Sequence, residues 1–408
     1  MARRGLLFLM AAALTGSIVF SGMTGSVASS DEGSKSLGDW AEKALEQLPW
    51  KAHIVRANLG SKNPVAVAGA YLMERQLLVV TNAGRVYCLD RRNLEPRWVN
   101  TLRYPLAQPP AEGPGHYAFL MKDNRGSSWV SVISKRSGSE NSRFPVRLPF
   151  AAASGISVNS SMVYMASLGR VGNNKTVESV NLLTGRAGWG YRTTGMVWGA
   201  PTLDPEGQNL IVVADDGVVT ALSAGASAPA RANWKRDIGV GIRGAAAVTP
   251  ESALVANDEG LLYNLNLFSG KVNWLKGLDE RVRTAPVVLG GFATVKKSTG
   301  VEGAAPVEVK RYEGLVFARN VNGLHCFDLR TGADRFRDAN GGRPLCRHGK
   351  HLVTVDGKRR LTIRDAADGF KVVGGINLGM ADLIPTNTQN GEIFAITADG
   401  TVLVATPK

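Results

Sequence analysis

Few positions in the sequence combine residue types that do chemistry. His348 and His351 stand in a His-x-x-His spacing across Gly349 and Lys350, which a zinc site can use. Zinc needs further ligands, however, and no cysteine or carboxylate pairs with this turn. Arg347 beside His348 also opposes a cation, so the spacing reads as a structural turn. Asp215-Asp216 and Asp258-Glu259 are acidic pairs that attract calcium, but neither has the alternating oxygen ligands of a calcium loop, and each precedes a turn glycine. Cys88, Cys326 and Cys346 are an odd, sparse set and make no disulfide framework. A Cys326–Cys346 bridge stays open for an exported chain. Cys88 in Val86–Asp90 and Cys326 in Leu324–Asp328 occupy matching places in two similar segments, as small core side chains do. No nucleophile elbow, phosphate loop or Gly-x-Gly-x-x-Gly is convincing. The sequence therefore assigns no catalytic, cofactor or metal residue.

The elements around these residues repeat at a period of roughly 43 residues, within the range of propeller blades. Each unit ends one apolar run in a tight turn and starts another. The clearest pairs are Leu77–Gly84 with Arg85–Asp90, Asn209–Gly217 with Val218–Leu222, and Ala253–Gly260 with Leu261–Leu267. Leu315–Gly323 with Leu324–Leu329, His351–Gly357 with Leu361–Asp365, and Glu392–Gly400 with Thr401–Ala405 continue the series. Two looser units are His116–Gly126 with Ser128–Ser134 and Met162–Gly172 with Thr176–Leu182. Turn pairs such as Asp216-Gly217, Asn322-Gly323 and Asp356-Gly357 suit hairpins, because Gly and Asn or Asp tolerate positive φ. A second turn follows and then an aromatic residue: Asn181 to Trp189, Asn266 to Trp274, Asp328 to Phe336, with looser copies ending at Trp98 and Trp234.

At these residues the unit resembles the pyrroloquinoline-quinone-like (PQQ-like) propeller repeat: a strand, a Gly turn, a Tyr-Ala-Leu-Asp-type strand, a Thr-Gly turn and a Trp opening the outer strand. The resemblance runs from about Trp50 to Lys408. It implies an all-β fold, an eight-bladed β-propeller of four-stranded antiparallel blades. The last unit, Asp382–Pro385, Glu392–Thr397 and Thr401–Ala405, supplies only three strands. Trp50–Leu59 is expected to give the fourth, closing the ring and removing an open edge. Seven blades is the competing count, because the second and third units are degenerate. The insertion Lys296–Arg311 reads as an exposed loop.

Three segments are expected in all. Residues 1–28 read as a secretory signal: Arg3-Arg4, an apolar stretch Leu6 to Phe20 and a small-x-small end at Ala28. An uncleaved anchor is the alternative, though Thr15, Gly16, Ser17, Ser21 and Gly22 make it a poor span. With no Cys near Ala28, N-terminal lipidation is not expected. Residues 29–49 form a linker and a short amphipathic helix, with Leu37, Trp40, Ala41, Ala44, Leu45 and Leu48 on one face and Pro49 as its stop. Residues 50–408 are the propeller.

The net charge is +14, which draws a protein to anionic surfaces. Outside the cytoplasm that means lipid head groups, wall polymers or acidic proteins, and nucleic acid is not an expected partner. Arg91, Arg92, Lys135, Arg136, Arg186, Lys271 and Arg330 fall in turns after the third strand, on one face of a propeller, with the insertion and the Arg347–His351 turn. Acidic hairpins at Asp215-Asp216, Asp258-Glu259 and Asp399 fall on the other. The expectation is a polar disc with one basic, partner-binding face.

The repeat's name invites a quinone. Quinoprotein dehydrogenases of this fold are longer and carry calcium ligands, a catalytic Asp, a Trp below the cofactor and often adjacent cysteines; here the innermost strands are small and apolar, and no cofactor is expected. Length and repeat resemble those of the outer-membrane β-barrel assembly lipoprotein, except that the lipid-acceptor Cys is absent. The functional expectation is a non-catalytic, monomeric, exported scaffold of the periplasm or envelope that binds a protein partner. The alternatives are a quinone-dependent dehydrogenase and a binder of anionic wall polymer or lipid.

Overall fold

The repeating runs of Val, Leu, Ile and Tyr become strands, and the glycine-bearing pairs between them become turns. The computed structural model describes Leu45 and residues 49–56, 66–168, 176–225, 230–239, 241–297, 307–379, 381–398 and 400–408. Seven sheets are four-stranded meanders: blades 1 to 7 span residues 67–101, 111–147, 152–192, 202–237, 247–277, 287–338 and 343–377. The eighth sheet joins Ile393–Ile396, Thr401–Pro407 and Trp50–Arg56. Leu383 bridges to Ile396 in the innermost place of this blade. The strand Trp50–Arg56 pairs antiparallel with the last strand from Trp50↔Pro407 to Arg56↔Thr401, without a bulge. The loose second and third units both build complete sheets, so the count is eight and not seven.

Ring closure is also visible in the core. The buried apolar side chains fall into eight clusters, each between two successive blades. Leu78, Val80 and Trp98 of blade 1 meet Tyr117, Phe119 and Met121 of blade 2. The last cluster brings Leu77, Val79, Tyr87 and Leu89 of blade 1 against Phe394, Ile396, Val402 and Val404 of blade 8. Each strand buries alternate residues on opposite faces, so a central strand, sandwiched between two blades, reads as a continuous apolar run. Leu77–Val80 is such a run and is buried throughout.

The repeated Trp and the repeated Gly of the second turn are two halves of one joint. Trp98, Trp234 and Trp274 donate their indole N–H to the carbonyls of Lys135, Leu267 and Leu329, each in the next blade, at 3.0, 2.8 and 2.9 Å. Their rings lie where a Cβ on Gly138, Gly270 or Gly332 would stand, at 2.4, 2.5 and 2.8 Å. The Trp needs a turn residue without a side chain, which explains why the two recur together.

One expectation changes. The Lys296–Arg311 insertion is no simple loop: Val287–Lys297 and Val307–Asn320 pair in unbroken register as a long hairpin, with residues 298–306 outside the described set. Strand pairing costs little once the register is set by blade 6 below it, and Val307 and Val309 favour extended backbone. Of the expected run Trp50–Leu59, Trp50–Arg56 is a strand and residues 57–59 lie outside the described residues. The expected signal and cleavage site lie outside the described residues. So does the helix over Leu37–Leu48, apart from Leu45, which is helical and fully buried beside Trp50 and Leu345.

Candidate binding faces

In an up-and-down blade, the turn after the first strand and the turn after the third leave on one side of the ring. The turn after the second strand and the connection to the next blade leave on the other. The seven predicted basic residues all sit in third-strand turns on the first side. Arg92, Arg136, Arg186, Lys271 and Arg330 are exposed there, spaced around the rim.

Arg91 and Lys135 do not belong to that free surface. Arg91 is buried and donates to Glu392 at 2.5 and 3.1 Å, to the Met73 and Glu74 carbonyls at 2.8 and 3.0 Å, and to Gln389 and Asn390. It clasps blade 1 to blade 8. Lys135 is tied to Glu112 at 2.5 Å and lies over the Tyr117 ring. The repeat explains both: Arg91 and Lys135 follow the last third-strand residue, where other blades bury Leu182, Leu267 and Leu329. Side chains at that position turn inward, whatever their charge.

Nor is the face uniformly basic. First-strand turns bring Glu74, Glu112, Asp204 and Glu206 around a cavity of about 820 Å³ at the mouth of blades 1 to 4. The cations form an outer rim around an acidic mouth, and exposed apolar tips interrupt that rim at Leu183 and Phe268.

His348 and His351 face each other across the first turn of blade 7 and both stand edge-on to the Trp50 ring. Among the described residues, no three His, Cys, Asp or Glu side chains come together. The three cysteines are free and buried. Cys326 packs between blades 6 and 7 and Cys346 between blades 7 and 8, so the bridge left open by the sequence is not made. Burial pushes the Cys88 thiol up to about 12 and raises the other two as well.

The opposite side holds a constellation that the sequence analysis missed. The connections into blades 4, 5 and 6 read Val197-Trp198-Gly199, Ile242-Arg243-Gly244 and Val282-Arg283-Thr284. Val197, Ile242 and Val282 are buried as plugs, which fixes Trp198, Arg243 and Arg283 in equivalent places. Gly199 and Gly244 let consecutive blades approach: a Cβ on either would stand 2.4 or 2.7 Å from the backbone of the next connection. Asp215 accepts from the Met196 amide at 2.7 Å and from the Trp198 indole at 3.1 Å. The Arg243 guanidinium lies 6.0 Å from the Trp198 ring. Asp258 lies between Arg243, at 3.5 Å, and Arg283, at 4.0 Å. The acidic hairpins expected to colour this face are therefore partly neutralised. The result is a row of aromatic, cation, anion and cation on three blades. The apolar-Trp/Arg-small-Ala pattern of the connections, aligned repeat against repeat, is the signal that would have found it.

A quinone with calcium requires converging carboxylate and amide ligands over an aromatic floor. Among the described residues, Asp204 holds its own turn through Gln208 and Asn209, and Glu112 is taken by Lys135 and the Glu74 amide. Trp98, Trp189, Trp234 and Trp274 are spent between blades. This donor set does not fit the group.

The family described as outer membrane protein assembly factor BamB matches residues 225–305. The crystal structure of BamB from Moraxella catarrhalis superposes with a TM-score of 0.60 at 14% identity, covering 87% of this chain and 96% of that one. The chain resembles the BamB-type propellers. The computationally designed Ika8 protein is similar too, with a TM-score of 0.58 at 13% identity, over 84% and 96% of the two chains. At such identities the likeness is one of fold. No curated protein matches the chain in sequence. The stretch matching the BamB family runs through blade 5 into the blade 6 hairpin and contains Arg243, Asp258 and Arg283.

Proposed function

We propose that the protein is a non-catalytic scaffold of the cell envelope that binds a protein partner, in the manner of an outer-membrane assembly factor. The observation that carries this reading is the row Trp198, Arg243, Asp258 and Arg283. Interface anchors are typically Trp and Arg held rigid before binding, so that little conformational entropy is lost on association. Here the buried plugs Val197, Ile242 and Val282 hold them. The likeness to BamB supports the same reading, because the matched stretch contains two of these arginines. The unsuitable donor set in the ring supports the non-catalytic part.

The test is crosslinking in the native envelope followed by purification. Trp198→Ala combined with Arg243→Glu and Arg283→Glu is expected to lose the crosslinked protein while the fold persists. Reversal of Arg92, Arg186 and Arg330 on the rim is the comparison. An unchanged crosslinking pattern in the first variant would remove the row as the docking site. Dye reduction by purified protein loaded with calcium and pyrroloquinoline quinone would overturn the non-catalytic reading.

A further inference from the structure

Blade 6 differs from the others in one respect. Its first two strands run far past the end of its third. Val287–Lys297 and Val307–Asn320 pair from Val287↔Phe317 to Lys297↔Val307, whereas the third strand, Gly323–Asp328, covers only Leu315–Asn320. The Leu329 amide donates to the Gly314 carbonyl at 3.0 Å, and there the coverage stops. In a strand the N–H and C=O of one residue point to the same side, and the side alternates along the chain. Gly314 faces outward, so Tyr312, Lys310 and Glu308 do as well. Among the described residues, no backbone group pairs with these three on that edge.

Unpaired edges are templates for another strand, and folded proteins usually blunt or cover them. This one is left straight, with no proline or bulge between Val307 and Gly314. We propose that the outer edge of Glu308–Tyr312 binds an extended segment of a partner polypeptide by strand addition. The proposal rests on the protein-binding reading above and names a second contact for it.

The surroundings specify the partner's chemistry. On the face towards blade 5, Tyr312 packs against the core between blades 5 and 6 and stands edge-on to Phe292 at 5.4 Å. Phe292 is 67% exposed, an apolar surface with no cover of its own. Towards blade 7, Arg330, Arg335 and Arg347, with Phe292 at the rim and the carboxylates of Glu313 and Asp328 among them, line a cavity of about 630 Å³, in which three cations face two anions. Asp328 holds Arg335 at 2.6 Å, whereas Arg330 and Arg347 take no carboxylate among the described residues. An added strand shows alternate residues to the two faces. The segment that fits therefore alternates apolar or aromatic residues, laid on Phe292 and Tyr312, with Asp or Glu, laid towards the arginines. Main-chain bonds give such a complex its affinity and the alternating side chains its selectivity.

The probe is a fluorescein-labelled ten-residue peptide of alternating Val or Tyr and Glu, titrated into the full-length protein and read by anisotropy. Lys310→Pro and Tyr312→Pro each remove one outward N–H without touching a bond to Val287–Lys297. Each is expected to weaken binding by about tenfold, the worth of one to two backbone hydrogen bonds with the added steric block. Lys310→Ala keeps the N–H and is expected to change binding by no more than about twofold, the scale of an exposed charge. Equal losses from Lys310→Ala and Lys310→Pro would show attraction by charge alone and overturn the strand-addition reading. Should the proline variants misfold, hydrogen exchange on the unaltered protein decides. The Lys310 and Tyr312 amides must gain protection when peptide is added, while those of Arg311 and Glu313, already bonded to the first strand, stay as they were. No gain at 310 and 312 refutes the proposal. Trp198→Ala should leave peptide binding intact. Failure of the peptide with envelope crosslinks preserved would sink the edge and leave the scaffold standing.

Discussion

Arg91 carries one of the seven cationic side chains the sequence places on the free face, and its removal tests the clasp between blades 1 and 8. Its guanidinium makes six hydrogen bonds, two of them to Glu392. It also lies 5.5 Å from the centre of the Phe394 ring. Arg91→Ala would leave the Glu392 carboxylate, which is 17% exposed, facing two carbonyls and two amide side chains without its counter-charge. Charge-assisted bonds contribute about 1.5–3 kcal/mol each, but those values do not add in a network. Breaking a buried pair by deleting one partner costs about 3–5 kcal/mol, and that range is expected for Arg91→Ala. Glu392→Gln keeps the shape and should soften the loss, so a double-mutant cycle should show coupling above about 1 kcal/mol. The assay is equilibrium urea unfolding, with limited proteolysis under native conditions to report opening at residues 73–76 and 389–392. Arg92→Ala, one residue away and exposed, is the control and should change the midpoint by less than about 0.5 kcal/mol. A loss under about 1 kcal/mol for Arg91→Ala, or no coupling to Glu392, would refute the clasp and return Arg91 to the partner-binding rim.

The Trp–Gly joint predicts that Gly270→Ala destabilises: it places a Cβ 2.5 Å from the Trp234 ring at a residue with φ of +65°. The loss should be about 1–3 kcal/mol, while Trp234→Ala should cost about 3–5, both read by urea midpoints. Truncation before Ser61 removes Trp50–Arg56 and leaves Thr401–Pro407 as an open edge. Light scattering should then show self-association, and a synthetic peptide of residues 49–57 should reduce it. Acid should destabilise the protein in two stages. Burial and the nearby Arg337 hold the His325 imidazole below its ordinary range. Its contribution is therefore complete above the unfolded value of about 6.5 and is lost as pH falls through the lower folded value. Burial alone would raise the Asp328 carboxyl, but hydrogen bonds from Arg335 and Thr331 bring it to about 2. Its contribution, about 1 kcal/mol after allowing for solvent screening, should fade between pH 4 and 2, and Asp328→Asn should flatten that limb.

The blades were legible because each solves the same local problem with the same residues. Asn266 to Trp274 announces a turn and an outer strand by itself, and four other segments, ending at Trp98, Trp189, Trp234 and Phe336, repeat it. Even closure could be read, since a three-stranded last unit and a spare run after Trp50 suit one another. The faces were less legible because a residue's type does not say which way it points. Arg91 looks like Arg92 in sequence, yet its partner Glu392 is 301 positions away. The row of Trp198, Arg243 and Arg283 depends on three connections that meet only once the ring is closed. The hairpin of blade 6 was hidden because Gly, Ala and Lys between Lys296 and Arg311 carry a weak strand signal, while the register is imposed from the sheet below.

The composite eighth blade also governs the order in which the molecule can be finished. Its outer strand comes from the beginning of the ring and its other strands from the end; the Trp50 indole reaches the Gly391 carbonyl across 341 positions. A chain emerging from its N-terminus can complete blades 1 to 7 one after another, each joined to the last. Residues 50–56 must wait unpaired throughout that time. Until the final strands arrive the structure is an arc with two raw apolar flanks, Leu77, Val79 and Tyr87 at one end and Leu345, Val353 and Ile363 at the other. Closing so long a loop is entropically costly and slow compared with forming a hairpin. The last pairing thus acts as a completion check. An interrupted chain stays an open arc, exposed to proteases and to other arcs, and only a chain that runs to its final strand withdraws both flanks in one step.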